Sequence, residues 1–339
     1  MIDALYNNFK QTVFLFSALL LMMALGLLNF ELWDQVEYVR QSSPEITLRG
    51  IYTEWHKLRY LLVYPVYEAS YFFEIGQGFV FGVYLILIIS IASFVISSVV
   101  DVFGNVDFIY KLLIPLLLFF LSFFMNGRLV FGILGCGLVL LSALFLIRNS
   151  YFVSSFLCFF GFVFSSVSSG VFISLYFIYM SIFFICAVYY RFFLGRSFAV
   201  GYLFILIVFY VFFPIFLMMF IKNYFYFGGG AEAAVNALDH GLMAEDNSGM
   251  NLQLLFKVFL FCFLAFLVFF VVVLRRFISN GRALYVTFYF CSVLLFLSMF
   301  ANSILVIAFV PFSVLGVLAS SMLVPAVLHG RLQIGKLMK

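Results

Sequence analysis

The sequence predicts an all-α polytopic membrane protein with about ten transmembrane helices and two longer water-exposed segments. Three observations carry that prediction. Of 339 residues, 66% are hydrophobic and only 9% charged, with a mean hydropathy of +1.22, whereas soluble domains run near half apolar and a quarter charged. The apolar residues fall in unbroken runs of the length a helix needs to cross a hydrocarbon core, roughly 20 residues for about 30 Å. They do not form the alternating segments of about 10 residues that build a membrane β-barrel. The charge, finally, is gathered rather than spread. Residues 31–76 hold seven carboxylates, four basic side chains, His56 and both Trp residues.

Taken in order, the apolar runs place spans near 12–30, 77–100, 108–125, 129–147, 151–164, 170–190, 198–221, 253–274, 283–301 and 303–326. Residues 12–29 have only Lys10 as basic flank and lack a small-residue cleavage pattern, so they read as a retained first helix. With the N-terminus inside, the short inner connections hold Arg148, Arg191, Arg196, Arg275, Arg276 and Arg282, and the tail holds Arg331, Lys336 and Lys339. That satisfies the bias of Lys and Arg toward the cytoplasmic side. Eleven of the 14 acidic residues then fall in 31–76 and 222–252, both outside. The whole chain reads as one integral membrane domain with both termini cytoplasmic.

Within 31–76, Tyr60, Tyr64, Tyr67 and Tyr71 recur at helical spacing, with Pro65 expected to kink the helix or mark a new start. Such a face suits either an interfacial aromatic belt or a stacking surface for sugar rings. Arg128 follows in a connection of three polar residues between two spans, at the hydrocarbon edge. A guanidinium there either snorkels to the headgroups or grips a phosphate, whose oxygens its planar fork matches. The SSVSSG turn at 165–170 reads either as a re-entrant hairpin or as a small-residue turn after a short span. In 222–252, Gly228–Gly230 lacks the following GK[ST] of a phosphate loop, so it reads as a joint. A short amphipathic helix with Asp239 and His240 follows it.

Several functions lose ground on composition. The five Cys residues all lie in apolar runs without CxxC spacing, so they read as packing residues. The three His residues are far apart and no HExxH occurs, so no metal or other cofactor is expected. The scattered net charge of +4 does not suggest nucleic acid, and the inner connections are too short for nucleotide chemistry. Acids in mid-span, expected of a proton-coupled transporter, are scarce.

An acid-rich outer segment containing VYEASYFF (66–73), then NGRLVFGILGCGLVLLSALF (126–145), a serine-rich hairpin and the Tyr-rich KNYFYF (222–227) resemble the EpsG-like and Wzy-type polysaccharide polymerases. Where members of that family often carry His in the hairpin, this chain has SSVSSG. The resemblance implies a GT-C-like glycosyltransferase architecture in a bacterial inner membrane. It further implies metal-independent joining of undecaprenyl-diphosphate-linked oligosaccharide donor and acceptor into O-antigen or a related surface polysaccharide, beside membrane lipids and a chain-length regulator protein. An O-antigen ligase-like transferase and a flippase or transporter of lipid-linked sugars are the alternatives. Under the polymerase reading Glu68, Asp239 and His240 are the candidate bases for the attacking hydroxyl. Arg128, Arg59 and Lys222 would meet the diphosphate, and Tyr60, Tyr64, Tyr67 and Tyr71 would hold sugar.

Overall fold

The structure, a computed structural model, describes residues 2–28, 56–102, 108–123, 127–188, 201–230, 236, 282–298, 310–316 and 318–319. Among these, regular structure is helical throughout. The helices are α1 (Ile2–Ala24), α2 (His56–Phe72), α3 (Gln77–Val102), α4 (Phe108–Ser122), α5 (Gly127–Ile147), α6 (Tyr151–Ser165), α7 (Ser169–Val188), α8 (Gly201–Tyr226) and α9 (Arg282–Ser298). Four stretches are long and apolar enough to cross a bilayer: Gln77–Val102, Leu129–Ile147, Ser169–Ala187 and Gly201–Tyr226. The protein is thus a helical membrane protein. The expected span at 253–274 and most of that at 303–326 lie outside the described residues.

The chain forms two compact units, Met1–Asn223 and Tyr224–Lys339. In the first, α3 packs against α1, α2, α4 and α5, and α5 packs in turn against α6 and α7. The closest approach is between α5 and α6, and small residues make it possible. A Cβ on Gly135 would stand 2.9 Å from both the Gly161 carbonyl oxygen and the Ser165 nitrogen, and one on Gly161 would stand 2.6 Å from Val139 Cγ2. Ser142 and Ser154 lie farther along the same seam and hydrogen-bond reciprocally, Ser142 Oγ to Ser154 O at 2.6 Å and Ser154 Oγ to Ser142 O at 2.9 Å. The Tyr179 hydroxyl of α7 joins both serines at 2.8 and 2.7 Å. Ridges with no room for a methyl group therefore alternate with a polar clamp whose every hydroxyl is satisfied.

These pairings also fix direction. Phe131 stacks on Phe164, Gly135 meets Gly161, and Ser142 meets Ser154, so α6 runs antiparallel to α5 along its length. The SSVSSG segment accordingly forms a tight turn between α6 and α7. Beyond it, α7 and α8 close over α6 through aromatic rings. Phe162 is fully buried, with the rings of Phe172, Tyr176, Phe209 and Phe212 between 5.3 and 6.4 Å away.

Two expectations differ from what is observed. Helix α1 begins about ten residues before the apolar run, because its polar first turns pack against the end of α3, with Asn8 Nδ2 donating to Asp101 Oδ2 at 2.6 Å. Gly26, at φ +70°, ends the exit from α1. Pro65 does not start a new helix: α2 is one assigned helix from His56 to Phe72, with Pro65 on its exposed side. Its missing N–H removes one intrahelical bond, and the neighbouring Leu62 carbonyl gains an outside donor, the Tyr84 hydroxyl at 3.0 Å.

In the second unit, α9 packs on the helical residues 310–316. Phe290 and Phe312 are both fully buried with ring centroids 6.3 Å apart, and a Cβ on Gly316 would stand 3.2 Å from Cys291 Cβ.

Candidate functional site at one end of the first unit

Tyr84 connects three elements. It lies two turns into α3, its hydroxyl holds the α2 backbone at Leu62, and its ring lies 5.9 Å from that of Phe131 on α5. Phe131 is fully buried and stacks on Phe164 of α6 at 6.1 Å with 13° between the planes. Arg128 occupies the first turn of α5, three residues before Phe131. The helix carrying Glu68, the turn carrying Arg128 and the far end of α6 thus share one end of the bundle.

Helix α2 packs with Val63, Val66 and Ser70 inward. Glu68 stands on the opposite, exposed side, one turn from Tyr64 and from Tyr71, of which Tyr64 is half-buried and Tyr71 is 78% exposed. Of the tyrosines expected to share a face, Tyr71 is thus exposed beside Glu68 and Tyr64 is half-buried. Arg59, Tyr60 and Tyr67 lie on the same helix, but their side chains, like that of Arg128, fall outside what the structure describes.

At the same end the turn between α6 and α7 is closed by its own serines. Ser165 Oγ donates to Phe162 O at 3.1 Å and Ser166 Oγ to Val163 O at 2.6 Å. They add second donors to carbonyls that the Ser166 backbone N–H also reaches, and both serines are fully buried. They are spent on the turn. Ser169, at the start of α7, instead lies 3.4 Å from the Asn223 side chain in the last turns of α8. Lys222, exposed and adjacent to Asn223, is thereby placed at the serine turn. Asp239 and His240 lie outside the described residues, as does the predicted helix around them apart from Asn236.

Sequence reasoning passed over Tyr84, the Ser142–Ser154–Tyr179 clamp and the Asn8–Asp101 contact. A signal existed for each. A hydroxyl or amide inside an apolar run must find a partner, because leaving it unpaired in hydrocarbon is costly, but which partner it finds is a tertiary matter. Among the described residues no group of three or more His, Cys, Asp or Glu side chains comes together.

No protein-family model, curated protein or solved structure matches this chain. The fold defines a polytopic helical membrane protein. At one end of the first unit lie the exposed Glu68 of α2, the first turn of α5 with Arg128, and Lys222.

Proposed function

We propose that the chain is a glycosyltransferase that polymerises undecaprenyl-diphosphate-linked oligosaccharide units on the outer face of a bacterial inner membrane. What supports this is the gathering, at one end of the bundle, of the residue types that such a transfer needs. In that reaction a hydroxyl of the incoming unit attacks the anomeric carbon of the growing chain. A new glycosidic C–O bond forms, the bond to the lipid diphosphate breaks, and the hydroxyl proton passes to a carboxylate.

The leaving diphosphate gains negative charge as that bond breaks, so cations placed beforehand lower the barrier. Arg128 stands in the first turn of α5, where unpaired backbone N–H groups also favour an anion. Lys222 and Arg59 are the other candidate cations. Glu68 takes the role of base, on a face whose tyrosines suit a pyranose ring, with Asp239 and His240 as the alternative base. Deletion of the gene tests the reading: surface glycan reduced to one repeat unit per acceptor supports a polymerase, whereas complete loss of glycan points to a ligase or flippase and overturns it.

A further inference from the structure

Helix α8 is the most exposed of the four stretches long enough to span: less than half of its apolar length is buried. One of its outward side chains is out of keeping with hydrocarbon. Tyr210 is 81% exposed, and among the described residues no hydrogen bond or ring contact reaches it. The nearest charges along the chain are Arg196, 14 residues before it, and Lys222, 12 residues after it, the latter about 18 Å away along the helix axis. Its hydroxyl therefore stands near the middle of the bilayer. A tyrosine side chain is too short to carry it from there to the headgroups, where this residue type ordinarily sits. The backbone has the same need at the same place, because Pro214 lacks the N–H that is the usual helical donor to the Tyr210 carbonyl. Polar groups left unpaired in hydrocarbon are costly.

The residues on either side of Tyr210 form a continuous stripe. Leu203, Ile207, Tyr210, Pro214, Leu217 and Ile221 follow one another at alternating spacings of four and three, and all six are exposed. That 3.5-residue repeat is the seam by which two parallel helices pack knobs into holes, in the left-handed crossing common in membranes. We propose that this face pairs two copies of the chain, α8 against α8, about a two-fold axis along the membrane normal. Depth selects the partner. Such an axis sets each seam residue opposite its own counterpart, so each Tyr210 hydroxyl faces a second Tyr210 at the same level. That counterpart offers a hydroxyl able to donate and accept and a carbonyl short of its usual donor, whereas lipid acyl chains offer neither. The other seam side chains need only apolar contact, which an identical seam supplies. The pairing is independent of the reaction proposed above and holds whichever chemistry the chain performs.

The test reconstitutes the full chain in lipid vesicles and follows energy transfer between donor-labelled and acceptor-labelled copies as the protein is diluted into lipid. Transfer above that of random encounters, falling on dilution, is expected. Tyr210→Phe keeps the ring and should raise the dissociation constant about threefold. Ile221→Cys and Phe220→Cys, each compared with the parent chain, locate the contact, since both positions are exposed and they point about 100° apart on the helix. A short bifunctional thiol reagent should join two copies through Ile221→Cys, on the seam, and not through Phe220→Cys, beside it. Transfer no greater than random would mean that lipid covers the face. An Ile221→Cys product within one chain would mean that another segment of the same chain covers it. Either result overturns the proposal, as would an unchanged dissociation constant in Tyr210→Phe or equal joining through Phe220→Cys.

Discussion

The Tyr84 hydroxyl donates to the Leu62 carbonyl, three residues before Pro65. This contact adds to the packing of Val63 and Val66 in holding the helix bearing Glu68 against the bundle, and the same ring leans on Phe131, three residues after Arg128 in sequence. Tyr84→Phe keeps the ring contact and removes the tether. The loss is expected to cost about 0.5–1.5 kcal/mol and to increase protease or thiol-reagent access along α2, read from single cysteines introduced at exposed α2 positions. Unchanged access would show that α2 is held by its packing alone.

Gly135 and Gly161 set the separation of α5 and α6. Gly135→Val places side-chain atoms where backbone already stands and is expected to lower the yield of folded protein sharply, at a cost of at least about 1–3 kcal/mol. Gly132→Ala, whose Cβ would meet only Val171 Cγ2 at 3.7 Å, is expected to stay within about 0.5 kcal/mol of the parent. Thermal unfolding in detergent compares the two.

The polar clamp is expected to tolerate loss of its third member. In Tyr179→Phe each serine still donates to the other's carbonyl, so the cost should stay near about 0.6 kcal/mol, the average for interhelical hydrogen bonds in membranes. Ser142→Ala removes one reciprocal bond and should cost more than Tyr179→Phe. The reverse order would mean that the tyrosine is the principal tie between α5 and α7.

Much of the helix layout was legible. The apolar runs 77–100, 129–147 and 151–164 become Gln77–Val102, Gly127–Ile147 and Tyr151–Ser165, because in hydrocarbon every backbone group must be satisfied within its own segment. The start of α1 was not legible, because Asn7, Asn8, Lys10 and Gln11 interrupt the apolar pattern, and only the meeting of Asn8 with Asp101 explains why that turn is packed. Pro65 reads locally as a kink or a new start, yet α2 continues through it from His56 to Phe72. Of the candidate site, the tyrosine spacing placed Glu68 beside Tyr64 and Tyr71 correctly on one helix. The link from α2 to the Arg128 turn through Tyr84 and Phe131 arises only from side chains far apart in sequence.

Glu68→Gln preserves shape and hydrogen-bonding reach while removing the capacity to take a proton. If Glu68 is the base, polymer formation should fall at least about 100-fold, with protein level in the membrane unchanged. A parallel fall in both quantities would make the residue structural, and full activity would pass the role to Asp239 or His240.

The most direct test is polymer length in Arg128→Ala. Purified wild-type and variant protein, at matched membrane levels, are given the lipid-linked repeat unit, and the products are resolved as a ladder. The account predicts that the variant yields single units only, with the lipid diphosphate still attached. A ladder of normal length from Arg128→Ala would contradict it.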